Sequence, residues 1–151
     1  MRRSDREITS RADIDDVLNR ARICHLAFCR NSIPYVVPLN YGYAGGCLYV
    51  HSAGEGRKID MIKANNTVGF TMYVDERMVA SKSACKCSTK YRSVIGEGKA
   101  FLLEKPEEKE QALGIIMRHY WDKDFKFDPA EVQKVAVIKV VIDSITGKQS
   151  V

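Results

Sequence analysis

Three strand-like runs follow one another so closely between residues 24 and 52 that no crossover helix fits between them. Residues 24–29, 34–43 and 47–52 are rich in aliphatic and aromatic side chains, and the gaps between them, Asn31-Ser32 and Ala44-Gly45-Gly46, suit hairpin turns. Parallel neighbours need a connection of roughly a dozen residues or more. This part of the chain is therefore an antiparallel meander, and every other element must attach to its edges or cover its faces.

The flanking segments supply both. Ser10 stands ahead of Asp13, Ile14, Val17, Leu18 and Ala21, whose spacing marks an amphipathic helix with acid at its start, a cover for one end of a barrel. Residues 57–64 predict a short helix with one apolar edge, Ile59 and Ile62, with Met61 pointing elsewhere and Asn65-Asn66 ending it. Residues 67–74 and 91–103 read as further strands around an irregular stretch of Lys, Ser and Cys. Pro106 suits the first turn of a helix, Glu107, Glu108 and Glu110 favour its positive end, and Leu113, Ile116, Met117 and Tyr120 form its buried stripe. Residues 135–142, apolar and β-branched, read as a buried closing strand. With no repeat, low-complexity tract or linker, residues 1–151 form one domain. The fold class is mainly β: a six-stranded antiparallel barrel with two or three helical covers, rather than alternating βαβ units.

Composition narrows the partners. A chain with 45% hydrophobic and 28% charged residues has the balance of a globular protein. Its net charge of +5 is concentrated between residues 77 and 99, where Arg77, Lys82, Lys86, Lys90, Arg92 and Lys99 are opposed only by Glu97. Such a segment suits an anionic small ligand as readily as a polyanion. The five cysteines, Cys24, Cys29, Cys47, Cys85 and Cys87, are odd in number and lack CxxC spacing, which points to reduced thiols and a cytoplasmic location. Cys85-Lys86-Cys87 reads as a pair of inert or adventitiously reactive thiols. The polar start of the chain is unlike a signal peptide, and no apolar run is long enough to span a bilayer, so no membrane association is expected.

The segment Leu48-Tyr49-Val50-His51-Ser52-Ala53-Gly54-Glu55-Gly56-Arg57-Lys58 is a strand leaving through two glycines into a helix that begins with two cations. Glycine lets backbone N–H groups approach an anion, the helix start adds unpaired donors, and Arg57 and Lys58 add full charge. The spacing fits neither GxxxxGK[ST] nor GxGxxG, since Ile59 stands where the latter needs glycine, and a mononucleotide phosphate remains. A glycine turn into a helix with solvated cations explains the same residues, and this segment alone does not decide. In residues 34–43, Pro34 and Pro38 cannot donate to a ladder and mark an edge or interrupted strand. Alternation sends Pro38, Asn40 and Gly42 to one face and Leu39, Tyr41 and Tyr43 to the other. A flat heteroaromatic ring would meet free amides and apolar surface there, although each tyrosine taken singly suits barrel packing.

The whole pattern resembles a known family. The opening Met1-Arg2-Arg3-x-Asp5-Arg6-Glu7-Ile8, the 34–43 strand, Tyr49-x-His51-x-Ala53-x-x-Gly56-x-Lys58-Ile59-Asp60, Tyr91-x-Ser93-Val94-Ile95-x-x-Gly98 and Ile145-Thr146-Gly147-Lys148 resemble the nitroimidazole-resistance branch of the pyridoxamine 5'-phosphate oxidase-like, FMN-binding split-barrel superfamily. That resemblance implies a homodimer with two FMN sites at the subunit interface. Pro38, Leu39, Asn40 and Tyr41 would line the ring, His51, Ser52, Ala53, Arg57 and Lys58 would hold the ribityl phosphate, and Tyr91, Arg92 and Ser93 would add groups near the site. Some relatives carry histidine where Arg57 stands, so a histidine-based mechanism does not transfer. Residues 79–90 resemble the family least, and substrate preference or a disordered loop is expected there.

The function expected from this reading is an FMN-dependent oxidoreductase that passes electrons from a nicotinamide donor to a small acceptor, nitro-aromatic compounds included. The cofactor carries such chemistry, so no residue is singled out as catalytic. A non-catalytic flavin-binding or storage module and a pyridoxamine-phosphate-oxidase-like enzyme are the alternatives, and a deazaflavin or haem in place of FMN stays open. A nucleic-acid-binding barrel would use Tyr35, Tyr41, Tyr43 and Tyr49 beside the basic segment, but it leaves the glycine and cation turn without a role. Of the histidines, His51 falls in the phosphate segment, His25 reads as a strand residue and His119 as a cation near a helix end. None has metal-ligand spacing.

Overall fold

The meander forms as expected, with one break that sets the architecture. The computed structural model describes residues 3–150, so Met1 and Arg2 of the N-terminal motif lie outside the described residues. In chain order the elements are β1 (Glu7–Ile8), α1 (Arg11–Arg20), β2 (Cys24–Arg30), β3 (Ile33–Leu39), β4 (Tyr41–Ala44), β5 (Cys47–Ala53), α2 (Arg57–Ala64), β6 (Thr67–Val79), β7 (Ser88–Leu103), α3 (Pro106–Tyr120), α4 (Pro129–Lys134) and β8 (Val135–Ser150). One antiparallel sheet has the order β3-β2-β6-β7-β8-β5-β4, with β1 added to β8.

The strand expected over residues 34–43 is broken at Asn40 into β3 and β4, which occupy opposite edges of the sheet. Leu39 pairs with Cys24, and Tyr41 pairs with Val50. Two Cα steps span at most about 7.6 Å, so both edges must meet at Asn40, and the sheet rolls into a barrel. The inward faces of the strands, with Leu26, Phe28, Leu48, Val50, Phe70, Met72, Val94, Ile138 and Val140, form its core. The prolines fall as their missing N–H requires, on the edge strand β3 opposite Cys29 and His25.

Helices close what the barrel leaves open. The Ser10 hydroxyl caps α1 by accepting the Asp13 N–H at 3.3 Å, and Ile14, Val17 and Leu18 turn inward. In α2, Met61 is buried together with Ile59 and Ile62, a correction to the single apolar edge read from spacing: the helix sinks far enough against the barrel to cover three residues. α3 lies so close over β4 that a Cβ at Gly42 would stand 2.7 Å from the Ile116 backbone nitrogen.

Four further departures concern length and number, and bring the strands to eight. β8 runs on through the 145–148 motif to Ser150, pairing with Tyr91–Ser93 of β7. β1 reaches that tail, and a Cβ at Gly147 would lie 2.7 Å from Ile8 Cβ, which explains glycine in the motif. β6 and β7 extend to Val79 and from Ser88, so much of the stretch expected to be irregular is a two-stranded arm. α4 follows an Asp128 cap and Pro129, a start signal too short to stand out by periodicity. Among the described residues no helix is long and apolar enough to cross a membrane.

Candidate functional site

From the corner at Asn40 the two sheet edges diverge. β4 has only four residues, so β5 runs past its end. His51, Ser52 and Ala53 pair with Val137, Ala136 and Val135 of β8 on one side, and among the described residues they pair with no strand on the other. β3, running back from Leu39 toward Pro34, pairs among the described residues with β2 alone. The result is a split with β3 on one side and the end of β5 on the other, both carrying unladdered backbone groups. α2 starts where the split widens. There the Arg57 guanidinium carbon stands 4.4 Å from the centroid of the Tyr35 ring, so the helix start reaches across to β3.

Charge at this end is available. Gly56 precedes α2 with φ 111° and ψ 178°, a conformation that glycine alone adopts freely, and puts no side chain over the first-turn amides. Among the described residues neither Arg57 nor Lys58 has a carboxylate partner, whereas Arg92 has three, Asp13, Asp16 and Asp75. The Lys58 charge is felt at His51, whose basicity is lowered first by lost hydration and second by that ammonium. Both influences disfavour the charged form of His51. The split thus combines free backbone groups, apolar surface from β3 and a positive end built to take an anion.

Over residues 10–149 the sequence matches the profile of the family described as pyridoxamine 5'-phosphate oxidase. This chain belongs to the pyridoxamine 5'-phosphate oxidase family. It is similar to a solved candidate 5-nitroimidazole antibiotic resistance protein of Bacteroides thetaiotaomicron, with 37% identity, a TM-score of 0.85 and coverage of 95% of this chain and 86% of that one. A flavocytochrome of Azotobacter vinelandii and an FAD and heme binding protein of Mycobacterium smegmatis share the fold at 19% identity each. Both have TM-scores of 0.85 and cover 100% and 96% of this chain and 72% and 73% of their own. An uncharacterised Rhizobium meliloti protein is 36% identical over 63 residues, and that match spans 42% of this chain and 41% of that relative's length.

In this pyridoxamine 5'-phosphate oxidase family member the split is bordered by Pro38, Leu39 and Asn40 on one side and by His51, Ser52 and Ala53 on the other, with Arg57 and Lys58 at the start of α2. Tyr41 is different: its side chain is fully buried, and its hydroxyl donates to Leu18 O at 2.6 Å and lies 3.1 Å from Ala21 O. The Tyr41 N–H donates to the Tyr120 hydroxyl at 2.9 Å. The alternation read from sequence holds across the break, with Leu39, Tyr41 and Tyr43 turned to the core and Pro38 and Asn40 outward, and it is this inward face that takes the Tyr41 side chain away from the split. Arg92 also turns away, under α1, with Nη1 2.7 Å from Asp16 Oδ2. Tyr91 and Ser93 lie on β7 opposite Ser150 and Lys148, away from the split of their own chain.

Sequence reasoning missed Tyr35, because its contact with Arg57 depends on the barrel closing, and it missed the Asp13, Asp16, Asp75 and Arg20 network for the same reason. His25, opposite Pro38 on β2, lines with it a concavity of about 610 Å³ next to the split. His119 lies in the last turn of α3, as expected, but its surroundings disfavour the charged form. Burial lowers its basicity most, while its Nε2 makes a 2.7 Å hydrogen bond to Ala21 O and its ring stands 4.4 Å from that of Tyr41. Cys24 and Cys47 are buried, and burial pushes the Cys24 thiol up to about 12. Cys85 and Cys87 are exposed at the tip of the arm.

Proposed function

We propose that the chain binds FMN in the split and acts as an FMN-dependent oxidoreductase, taking electrons from a nicotinamide donor and reducing a small acceptor. One observation carries this reading. Arg57 and Lys58, free of carboxylates among the described residues, stand at a glycine-led helix start where β3 and the end of β5 diverge, each with an edge unpaired among the described residues. Arg57 and Lys58 would hold the phosphate, and His51, Ser52 and Ala53 the chain that joins it to the ring. Pro38, Leu39 and Asn40 would offer free backbone and apolar surface to the ring. When bound, FMN supplies reversible two-electron transfer; the protein's part is to orient the ring and admit donor and acceptor. Nitro-aromatic acceptors are the class suggested by the name of the relative at 37% identity.

We further propose a homodimer in which Tyr91 and Ser93 of one protomer complete the site of the other. The outer face of the sheet supports it, since Val36, Tyr73 and Ile95 are 57%, 53% and 60% exposed there. Val36 stands opposite Ala27, and Ile95 opposite Thr71 in the row that begins at Pro38, so the three share one face. A cytoplasmic location agrees with five unpaired thiols.

The test is an absorbance spectrum of the purified protein after mixing with FMN and gel filtration. Flavin bands co-eluting at dimer mass support both proposals; colourless protein overturns the first, and flavin-bearing protein at monomer mass overturns the second. Donor consumption no faster than with free FMN would make the chain a flavin-storage module instead.

A further inference from the structure

Three sulfur-bearing side chains gather at the end of the β6–β7 arm. Past a bulge between Val74 and Arg77, the two strands continue with Arg77 opposite Lys90, Met78 opposite Thr89 and Val79 opposite Ser88. A single helical turn, Ala84–Lys86, closes the arm, and the Cys87 N–H donates to Ala84 O at 3.1 Å. Cys85 and Cys87 are exposed there as free thiols. Met78, at 71%, is the most exposed large apolar side chain among the described residues, and none of the three belongs to the core.

Spacing alone shows a bare CxC pair, and the fold adds the thioether. Met78 and Thr89 are directly opposed and share a face of the arm, where the Thr89 hydroxyl donates to Met78 Sδ at 3.3 Å. Cys87 stands two positions before Thr89 in extended backbone, φ −64° and ψ 139°. Alternation therefore puts it on the same face, diagonal to Met78 with the Cβ atoms about 7 Å apart. Residues two apart in a helical turn have Cα atoms about 5–6 Å apart, which brings Cys85 within reach of the same point. Only long bonds hold Cys87 in place: its S–H donates to Ser81 O at 3.6 Å and to Ser83 O at 3.8 Å.

The donor set selects the ion. Thiolates and thioethers favour soft ions such as Cu(I). Among the described residues no group of three or more His, Cys, Asp or Glu side chains is placed to hold a metal ion, so Zn(II), which takes four such ligands, is not the occupant. Cu(I) needs only two thiolates, and that complex carries a single negative charge. Among the described residues Arg77, Lys82, Lys86 and Lys90 have no carboxylate partner, and Arg77 and Lys90 repel one another across the arm. An anionic complex at the tip offsets this excess of positive charge.

The geometry points to a Cu(I) site at the tip of the arm, with the Cys85 and Cys87 thiolates as ligands and Met78 Sδ as a third, weaker donor. Binding replaces two S–H protons by one Cu(I); both protons go to solvent, and nothing is oxidised or reduced. The site lies further along the arm than Tyr91, the outermost residue of β7 that the proposed dimer uses. It does not depend on the flavin reading.

The experiment titrates the full chain, reduced and kept free of oxygen, with Cu(I) in competition with the chromogenic chelator bicinchoninate. The chain should withdraw one Cu(I) per protomer and gain thiolate-to-metal charge-transfer absorption in the ultraviolet. Cys85→Ser and Cys87→Ser should each abolish this, and Met78→Leu should weaken it roughly tenfold. Cys29→Ser, which removes the exposed thiol on β2, should change nothing. Lys82→Ser combined with Lys86→Ser should weaken binding, and added salt should weaken wild type more than that variant. Metal-free variants should melt with wild type, since the tip holds no other part of the fold, so a loss of binding is not a loss of folding. Cu(I) taken up equally by the double variant Cys85→Ser and Cys87→Ser, no withdrawal of Cu(I) from the chelator, or Zn(II) retained through desalting would overturn the site.

Discussion

The Arg57 guanidinium lies over the Tyr35 ring, its central carbon 4.4 Å from the ring centroid, and so joins the first turn of α2 to the edge strand β3 across the mouth of the split. Lys58, one residue on, makes no such contact among the described residues and influences His51 instead. The two adjacent cations therefore have separable roles.

Replacing Lys58 by alanine removes a charge and no known structural contact. Losing one charge-assisted phosphate bond should weaken FMN binding by about 1.5–3 kcal/mol, roughly a 10- to 150-fold rise in Kd. Arg57→Ala should weaken FMN binding and lower stability as well, because the cation–π contact goes with it. Fluorescence titration of FMN and thermal melts of the flavin-free proteins check both. Unchanged affinity in Lys58→Ala would remove that residue from the site.

Gly56 and Gly45 both have positive φ, 111° and 57°, and a Cβ at either would meet nothing within 4 Å. Any cost of alanine is therefore conformational, about 1–3 kcal/mol of stability at each position. Gly56→Ala should also weaken FMN binding, since relief of the strain shifts the start of α2. Gly45, in the hairpin between β4 and β5, should affect the melting temperature alone.

How much of this was legible in sequence follows from the range of the interactions. Local signals were sufficient for α1, where Ser10 caps and Ile14, Val17 and Leu18 repeat at helical spacing, and for the hairpins around Asn31-Ser32 and Gly45-Gly46. The Gly56-Arg57-Lys58 start could be read because glycine, cations and helix onset are neighbours in the chain. The break at Asn40 could not. Nothing local separates a ten-residue strand from two strands on opposite edges, although the alternation that groups Leu39, Tyr41 and Tyr43 survives the break and puts all three at the core. Arg92 looked like one more cation of a basic segment because its partners Asp13 and Asp16 are more than 70 residues away. The arm carries few apolar residues, so periodicity missed it.

Tyr41→Phe isolates the core role of this tyrosine. The hydroxyl satisfies carbonyls at the end of α1, Leu18 O at 2.6 Å and Ala21 O at 3.1 Å. Its loss should destabilise the fold by about 1–3 kcal/mol and leave FMN affinity within twofold of wild type. A large loss of affinity at unchanged stability would return the Tyr41 side chain to the site.

Arg92 is 17% exposed and touches three carboxylates, which sets it between a buried and a surface ion pair. Arg92→Leu should cost about 1–3 kcal/mol of stability, measured by urea unfolding. The direct expectation for FMN affinity is no change, in contrast with Lys58→Ala. Parallel losses of affinity in the two variants would show that Arg92 also serves the phosphate.

The pH dependence near neutrality should come from the histidines. Burial, assisted by the nearby Arg22 charge and opposed by the hydrogen bond to Ala21, holds His119 below its ordinary value of 6.5 in the folded protein. The unfolded chain then binds more protons than the folded one between the two values. Stability from this source is fully present above about pH 6.5 and is lost as pH falls through the interval below it. His51, lowered by lost hydration and by Lys58, acts in the same direction. The exposed carboxylates Asp16 and Asp75 are held below 3.8 and so act in a more acidic window. Urea midpoints measured from pH 8 to 5 should decline, less steeply in His119→Gln, whose amide can still donate to Ala21, and least in the double variant with His51→Gln. Equal slopes in all three proteins would mean that neutral imidazoles are not what acid removes.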